Sequence, residues 1–216
     1  VNISVGIKKE NEWLKLDEQG NGNFKEMIIK ELIQSAKKAQ KNGTNMSKYT
    51  FLTIKNNEIV DLDWDKYINY LGRAKTPPAF DALDLSSGEN QLFGDATTDK
   101  KHFTNYSYQN STQKGELAPK KIVNLMAPLR FLNYPSEKAK YWRIRHGSKD
   151  ADTSLAISFI VAETLKQYDL IVDYSIPWDI PHSGDYDLEE LFDWAMDVVS
   201  KTPSKSEARE IRVITD

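Results

Sequence analysis

Residues 141–200 read as strand, loop, helix, strand, loop and helix in unbroken succession. Tyr141-Trp142-Arg143-Ile144-Arg145 is aromatic and branched strand text. A polar loop, 146–152, leads into a helix over 153–167. Its apolar Leu155, Ile157, Ile160, Val161 and Leu165 fall at helical spacing, with Asp152 or Thr153 placed to start it. Residues 170–176 return to strand text, 177–185 form a second loop, and 187–200 an amphipathic helix. A strand that returns through a helix to another strand can lie parallel beside it, since parallel pairing needs such a crossover. The pattern is therefore half of an α/β sheet. In open α/β sheets functional groups gather on loops at the carboxyl ends of strands.

Both of those loops carry titratable residues. The first reads Arg145-His146-Gly147-Ser148-Lys149-Asp150-Ala151-Asp152, and the second runs from Ile176 through His182 to Asp185. Asp150 and His182 are 32 positions apart, the length of one helix and one strand, so parallel neighbours would set the two loop tips side by side. An imidazole there can take a nucleophile's proton while the carboxylate fixes its tautomer and stabilises the imidazolium. Serine hydrolases of the α/β class place Ser, Asp and His in that chain order, and this sequence offers the second and third. The plainer reading stays open: an Asp in such a loop also serves as a cap or turn residue, and a lone His as a structural one. His146 competes with His182 but is better placed to shape the acid loop, and His102 has no partner visible in the sequence. The motif GxSxG, which would carry the nucleophile, does not occur in the 216 residues, nor does an HGGG-type oxyanion loop.

Residues 1–119 have a different texture, polar and punctuated. A short strand (ISVGI) is followed by the turn cluster EQGNGN. Asn23 is placed to cap a helix over 24–40 with Met27, Ile28, Leu32, Ile33 and Ala36 at helical spacing. Strands over 49–54 and 58–60 flank Asn56-Asn57, a hairpin signal. Asp61 or Asp63 can start a short helix through Tyr70. From 75 to 120 there is little periodicity, but Phe80, Phe93, Phe103, Tyr106 and Tyr108 argue for order. A segment of that length without long elements is usually functional or disordered. A short helix is expected over 121–127.

Composition removes several classes. Hydrophobic residues make up 39% and charged residues 28%, a soluble globular balance with room for one domain or one and a half. The longest uncharged apolar-rich run, 153–162, is ten residues, too short to span a bilayer. The opening VNISVGIKKENEW is not secretory-signal text, and no compartment can be assigned. There are no cysteines and three histidines, so a disulfide framework and a His-rich metal site are not expected. Lys plus Arg 29 against Asp plus Glu 32 gives a net charge of −3, which offers no bulk attraction for nucleic acid.

The segment 141–192, YWRIRHGSKDADTSLAISFIVAETLKQYDLIVDYSIPWDIPHSGDYDLEELF, resembles the C-terminal end of bacterial tannases of the α/β-hydrolase type. The segment 75–95, KTPPAFDALDLSSGENQLFGD, with His102-Phe103, resembles the substrate-facing part of the large lid domain in that family. The resemblance spans most of residues 75–194 through two long motifs in the right order. It implies an α/β fold: part of the lid over 1–119, the C-terminal part of the hydrolase domain over 120–201, and a charged tail over 202–216. It implies a serine esterase acting on galloyl esters and depsides of hydrolysable tannins, with Asp150 as triad acid and His182 as triad base. Lys75, Glu89 and Asp152 would grip the three phenolic hydroxyls. No cofactor and no metal are implied. The nucleophile would come from an N-terminal portion of the same enzyme, as a missing segment or a second chain. The alternatives are an esterase for related aromatic acids, such as feruloyl esters, and a lid fragment that binds without catalysis.

Overall fold

In a computed structural model of the chain, the described residues are 3–9, 12–73, 78–135, 137–184 and 186–201. The architecture is α/β, with small sheets. Strand β1 (Ile3–Lys9) pairs antiparallel with β2 (Glu12–Leu16), and helix α1 (Asn23–Lys41) follows. After a 3-10 turn (Met46–Lys48), β3 (Leu52–Lys55) and β4 (Glu58–Leu62) form a second antiparallel hairpin. Its turn residues Asn56 and Asn57 have φ of 49° and 62°, the left-handed pair that suits a tight hairpin. Helix α2 (Trp64–Leu71) comes next, then the short α3 (Gly88–Leu92) and α4 (Asn105–Gln109). Helix α5 (Lys120–Leu125) and a 3-10 turn (Pro128–Asn133) lead to β5 (Tyr141–Arg145), α6 (Leu155–Lys166) and β6 (Ile171–Ser175). The last helix is α7 (Leu188–Lys201). The chain forms two compact units, Val1–His182 and Ser183–Asp216. Among the described residues no helix is long and apolar enough to cross a membrane.

The core of the larger unit is built on one face of α1. Phe24, Ile28, Leu32 and Ala36 recur every fourth position and are all buried. Against that face pack the two hairpins, through Leu14, Ile59 and Leu62, and α6, through Phe159. The Phe24 and Phe159 rings meet edge to face at 5.7 Å. Each such side chain removed from water contributes about 1.5–3 kcal/mol. The core therefore joins residues from both sides of the textural change near residue 120.

Two helix starts differ from the sequence expectation, and at α1 the reason is that the polar side chain found tertiary partners. Asn23 is not the cap of α1. Its Oδ1 accepts the Lys15 N–H at 2.7 Å and its Nδ2 donates to the Trp13 carbonyl at 3.1 Å, tying the helix to β2. The cap is Gly22, at φ 144°, where a Cβ would stand 2.4 Å from the Lys15 carbonyl oxygen. Helix α2 starts as one of the two expected residues would have it, with Asp63 accepting from Lys66 N–H at 3.1 Å. Helix α6 is capped by Ser154, which accepts from Ala156 N–H at 3.3 Å, rather than by Asp152 or Thr153.

The unperiodic stretch is ordered around one buried carboxylate. Asp81 Oδ1 accepts from His102 Nδ1 and Asn90 Nδ2, both at 2.8 Å. Its Oδ2 accepts from the backbone N–H of Phe103 (3.0 Å) and Thr104 (2.7 Å), and from the Thr104 hydroxyl (2.6 Å). His102 is fully buried, and its Nε2 lies 2.9 Å from the Ser111 hydroxyl. The partner not visible in the sequence is thus Asp81. Phe93 and Phe103 stack at 4.2 Å beside this network. Order here comes from a polar hub rather than from long elements.

Candidate functional site

Strands β5 and β6 are parallel and in register, from Tyr141 opposite Ile171 to Arg145 opposite Ser175. Their carboxyl ends release the two titratable loops at the same level. The ladder continues into those loops: His146 N–H donates to the Ser175 carbonyl at 3.3 Å, Ser148 N–H to Pro177 at 2.9 Å, and Lys149 N–H to Ile180 at 2.9 Å. The Ser148 hydroxyl accepts the Asp179 N–H at 2.6 Å. Gly147 makes the approach possible, since a Cβ there would sit 2.1 Å from the Ile180 carbonyl oxygen and 3.0 Å from that of Pro181. The two loops are one zipped unit, and His182 follows directly on it.

Asp150 stands at the centre, buried. Its Oδ1 accepts from the backbone N–H of Asp152 and Thr153, each at 2.9 Å. Its Oδ2 lies 2.9 Å from His182 Nδ1. Burial acts to raise the pKa of Asp150. The Thr153 N–H, the His182 imidazole, the Asp152 N–H and the nearby His146 act against it, and together hold the carboxyl below its ordinary value. An ionised Asp150 can only accept, so Nδ1 of His182 is the donor. The proton-accepting nitrogen of that tautomer is Nε2, on a side chain 64% exposed.

His146 is the second imidazole. Its Nδ1 is 2.8 Å from the Ser158 hydroxyl of α6. Its Nε2 approaches Asp150 Oδ2 at 3.2 Å without the alignment of a hydrogen bond. Burial chiefly, opposed by Asp150, keeps its pKa below the ordinary value of 6.5. The residue is buried where His182 is exposed, which suits it to back the acid loop as its sequence position suggests.

The expected site residues divide three ways. Asp150, Asp152 and His182 come together, each offering an atom within 4.8 Å of the others. Glu89 lies half-buried in the first turn of α3, outside that group. Lys75 lies outside the described residues. Asp150, Asp152 and His182 could in principle ligate a metal. Both oxygens of Asp150, however, are already taken by N–H donors, so the arrangement fits a carboxylate that orients an imidazole better than a ligand cage.

A further set of residues was not legible in the sequence. Asp179, in the His182 loop, accepts from the hydroxyls of Tyr49 (2.9 Å) and Tyr70. The Tyr67 hydroxyl donates to the Ser148 carbonyl at 2.5 Å. These tyrosines belong to the end of the 3-10 turn (Tyr49) and to α2 (Tyr67 and Tyr70), more than 80 positions earlier, and tyrosines at core spacing carry no sign of what their hydroxyls reach.

No protein-family model matches the chain, and no curated protein matches it. Solved structures do. The chain is similar to a tannase from Lactobacillus plantarum at 43% identity and TM-score 0.85, over 89% of this chain and 41% of that one. A tannin acyl hydrolase in complex with ethyl gallate matches at 44% identity and TM-score 0.84, over 89% and 42%. The tannase of Fusobacterium nucleatum matches at 42% identity and TM-score 0.80, over 89% and 42%. The chain thus spans about two-fifths of the length of the solved structures it matches. Over nearly nine-tenths of its own length it resembles the bacterial tannases, in the way a C-terminal portion of one would.

Proposed function

We propose that this chain is the C-terminal portion of a serine esterase of the α/β-hydrolase fold that cleaves galloyl ester and depside bonds of hydrolysable tannins. In this reading residues 1–119 form part of the lid, residues 120–201 the end of the hydrolase domain and residues 202–216 a charged tail. The nucleophilic serine comes from an N-terminal portion of the same enzyme. The observation that carries the reading is the 2.9 Å contact between His182 Nδ1 and a buried, ionised Asp150 at the ends of two parallel strands. The likeness to structures of a tannin acyl hydrolase in complex with ethyl gallate and in complex with 3,4-dihydroxybenzoate supports the substrate class.

The serine hydroxyl attacks the ester carbonyl and His182 Nε2 takes its proton. The tetrahedral intermediate collapses, His182 returns the proton to the leaving alcohol, and a galloyl-serine ester remains. Water then attacks that ester with His182 again as base, releasing gallate and restoring the serine. Asp150 holds the ring and stabilises the imidazolium in both halves. Asp152 and Glu89 accept from the phenolic hydroxyls, and Lys75 donates to them and offsets their charge.

The test uses the esterase completed with its N-terminal portion. His182→Ala should lower kcat on methyl gallate on the order of 10⁴-fold. Unchanged hydrolysis would end the assignment. Methyl benzoate, which lacks the ring hydroxyls, should be turned over with kcat/KM at least about 100-fold lower than methyl gallate. Equal rates would remove the roles given to Lys75, Glu89 and Asp152.

A further inference from the structure

We propose that Asp179 is a positioning residue: clamped between the hydroxyls of Tyr49 and Tyr70, it sets the aim of His182. The inference rests on the esterase reading above and deepens it. Asp179 lies three residues before His182, with φ 58°, a left-handed conformation uncommon among non-glycine residues though more accessible to Asp than to most, and its contacts hold it there. Those contacts come from both sides. Oδ2 accepts from the Tyr49 hydroxyl at 2.9 Å and Oδ1 from the Tyr70 hydroxyl. The Asp179 N–H donates to Ser148 Oγ at 2.6 Å. Lys48 and Lys149 stand at 3.6 and 4.0 Å from the carboxylate.

The anchors are rigid. Tyr49 is buried and packed with Phe51, and the Trp178 ring meets it edge-on at 5.1 Å. Between Asp179 and His182 there are only Ile180 and Pro181. The Ile180 carbonyl is held by Lys149 N–H, and Pro181 has a fixed φ. The backbone position of His182 therefore depends on where Asp179 is pinned together with the Lys149–Ile180 hydrogen bond. The His182 side chain is largely exposed, so its aim rests on the contact with Asp150 together with the position of its backbone. A carboxylate suits two phenol donors because each of its oxygens accepts one, whereas an amide offers a single carbonyl oxygen.

The experiment reads the low-field Nδ1–H proton resonance of His182 in the 216-residue chain, assigned by its loss in His182→Ala. His102, whose Nδ1 bonds Asp81, supplies an internal control for the fold. Asp179→Gly adopts the positive φ without strain yet removes the clamp. Tyr49→Phe/Tyr70→Phe keeps both rings and removes both hydroxyls. Each should broaden or abolish the His182 signal while the His102 signal persists, and combining them should add nothing further. Asp179→Asn should fall between. Retention of the His182 signal in Asp179→Gly, with the His102 signal present, would overturn the proposal. If Asp179→Gly loses both signals, Tyr70→Phe alone decides by the same criterion.

In the completed esterase, Asp179→Gly should lower kcat about ten- to a hundredfold with KM for methyl gallate nearly unchanged, as for a misaimed base. A rise in KM at constant kcat would contradict a positioning role. A wild-type esterase inactive on gallate esters would instead sink the functional reading and leave the resonance test standing.

Discussion

One oxygen of Asp150 is taken by the backbone and the other by imidazole. The same carboxylate thus shapes the turn into α6 and fixes the His182 tautomer. Asp150→Asn keeps the volume but turns an acceptor into a donor facing two imidazoles. It should lower the free energy of unfolding by about 1–3 kcal/mol, since a buried group is left unsatisfied. Urea denaturation checks this, and an unchanged midpoint would mean that the amide finds another arrangement. Gly147→Ala tests the contact between the loops from the other side. Its Cβ would fall 2.1 Å from the Ile180 carbonyl oxygen, so the loops must separate. A loss of about 1–3 kcal/mol is expected, as for other overpacked sites. Ser148→Ala removes a hydroxyl from the same zipper without adding an atom, and should cost less. A Gly147→Ala chain as stable as wild type would show that the loops are not in contact in solution.

The pair β5–β6 with α6 between them is where sequence and structure agree most closely. The strand text at 141–145 forms β5 residue for residue, and the parallel pairing is the one that the helical crossover permits. Asn56-Asn57 was equally legible, because a left-handed pair at a hairpin tip is a local property. The capping role expected of Asn23 failed because a side chain that can cap can also reach a neighbouring strand, and the latter is set by tertiary packing. His102 with Asp81, and Asp179 with Tyr49, are long-range polar pairs with no period to betray them. The same element scale holds a pH prediction. Burial keeps His146, between α6 and the acid loop, below its ordinary 6.5. As pH falls, the unfolded chain takes up that proton first, so stability falls from about pH 6.5 downward. Asp150, Asp81 and Asp179, all held below their ordinary 3.8, add a second loss as the pH drops beneath that value. His146→Gln should flatten the first decline and leave the second. An unaltered slope between pH 7 and 5 would show that His146 is not the group responsible.

At the scale of the molecule, exposed apolar surface bears on whether this chain works alone. In the smaller unit, α7 carries Leu188, Phe192, Met196 and Val199 at helical spacing, the last three 65–70% exposed. In the larger unit, Leu125, Met126 and Tyr134 are each at least half exposed on the stretch leading to β5. An apolar stripe on a helix is what packs against a neighbouring element, and on the proposed reading that element is part of the remaining three-fifths of a tannase-like enzyme. The 216-residue chain alone should therefore bind a hydrophobic dye such as ANS and show no hydrolysis of methyl gallate above background. Addition of an N-terminal hydrolase portion carrying the serine should quench the dye signal and restore turnover together. Phe192→Glu/Met196→Glu then separates cover from chemistry. It touches neither Asp150 nor His182, yet it should weaken complementation about 100-fold or more, because two charges would have to be buried unpaired. Complementation undiminished by that variant would show that α7 faces water in the working enzyme. Robust hydrolysis by the isolated chain would show that it holds its own nucleophile, and the division of the triad between two portions would fall.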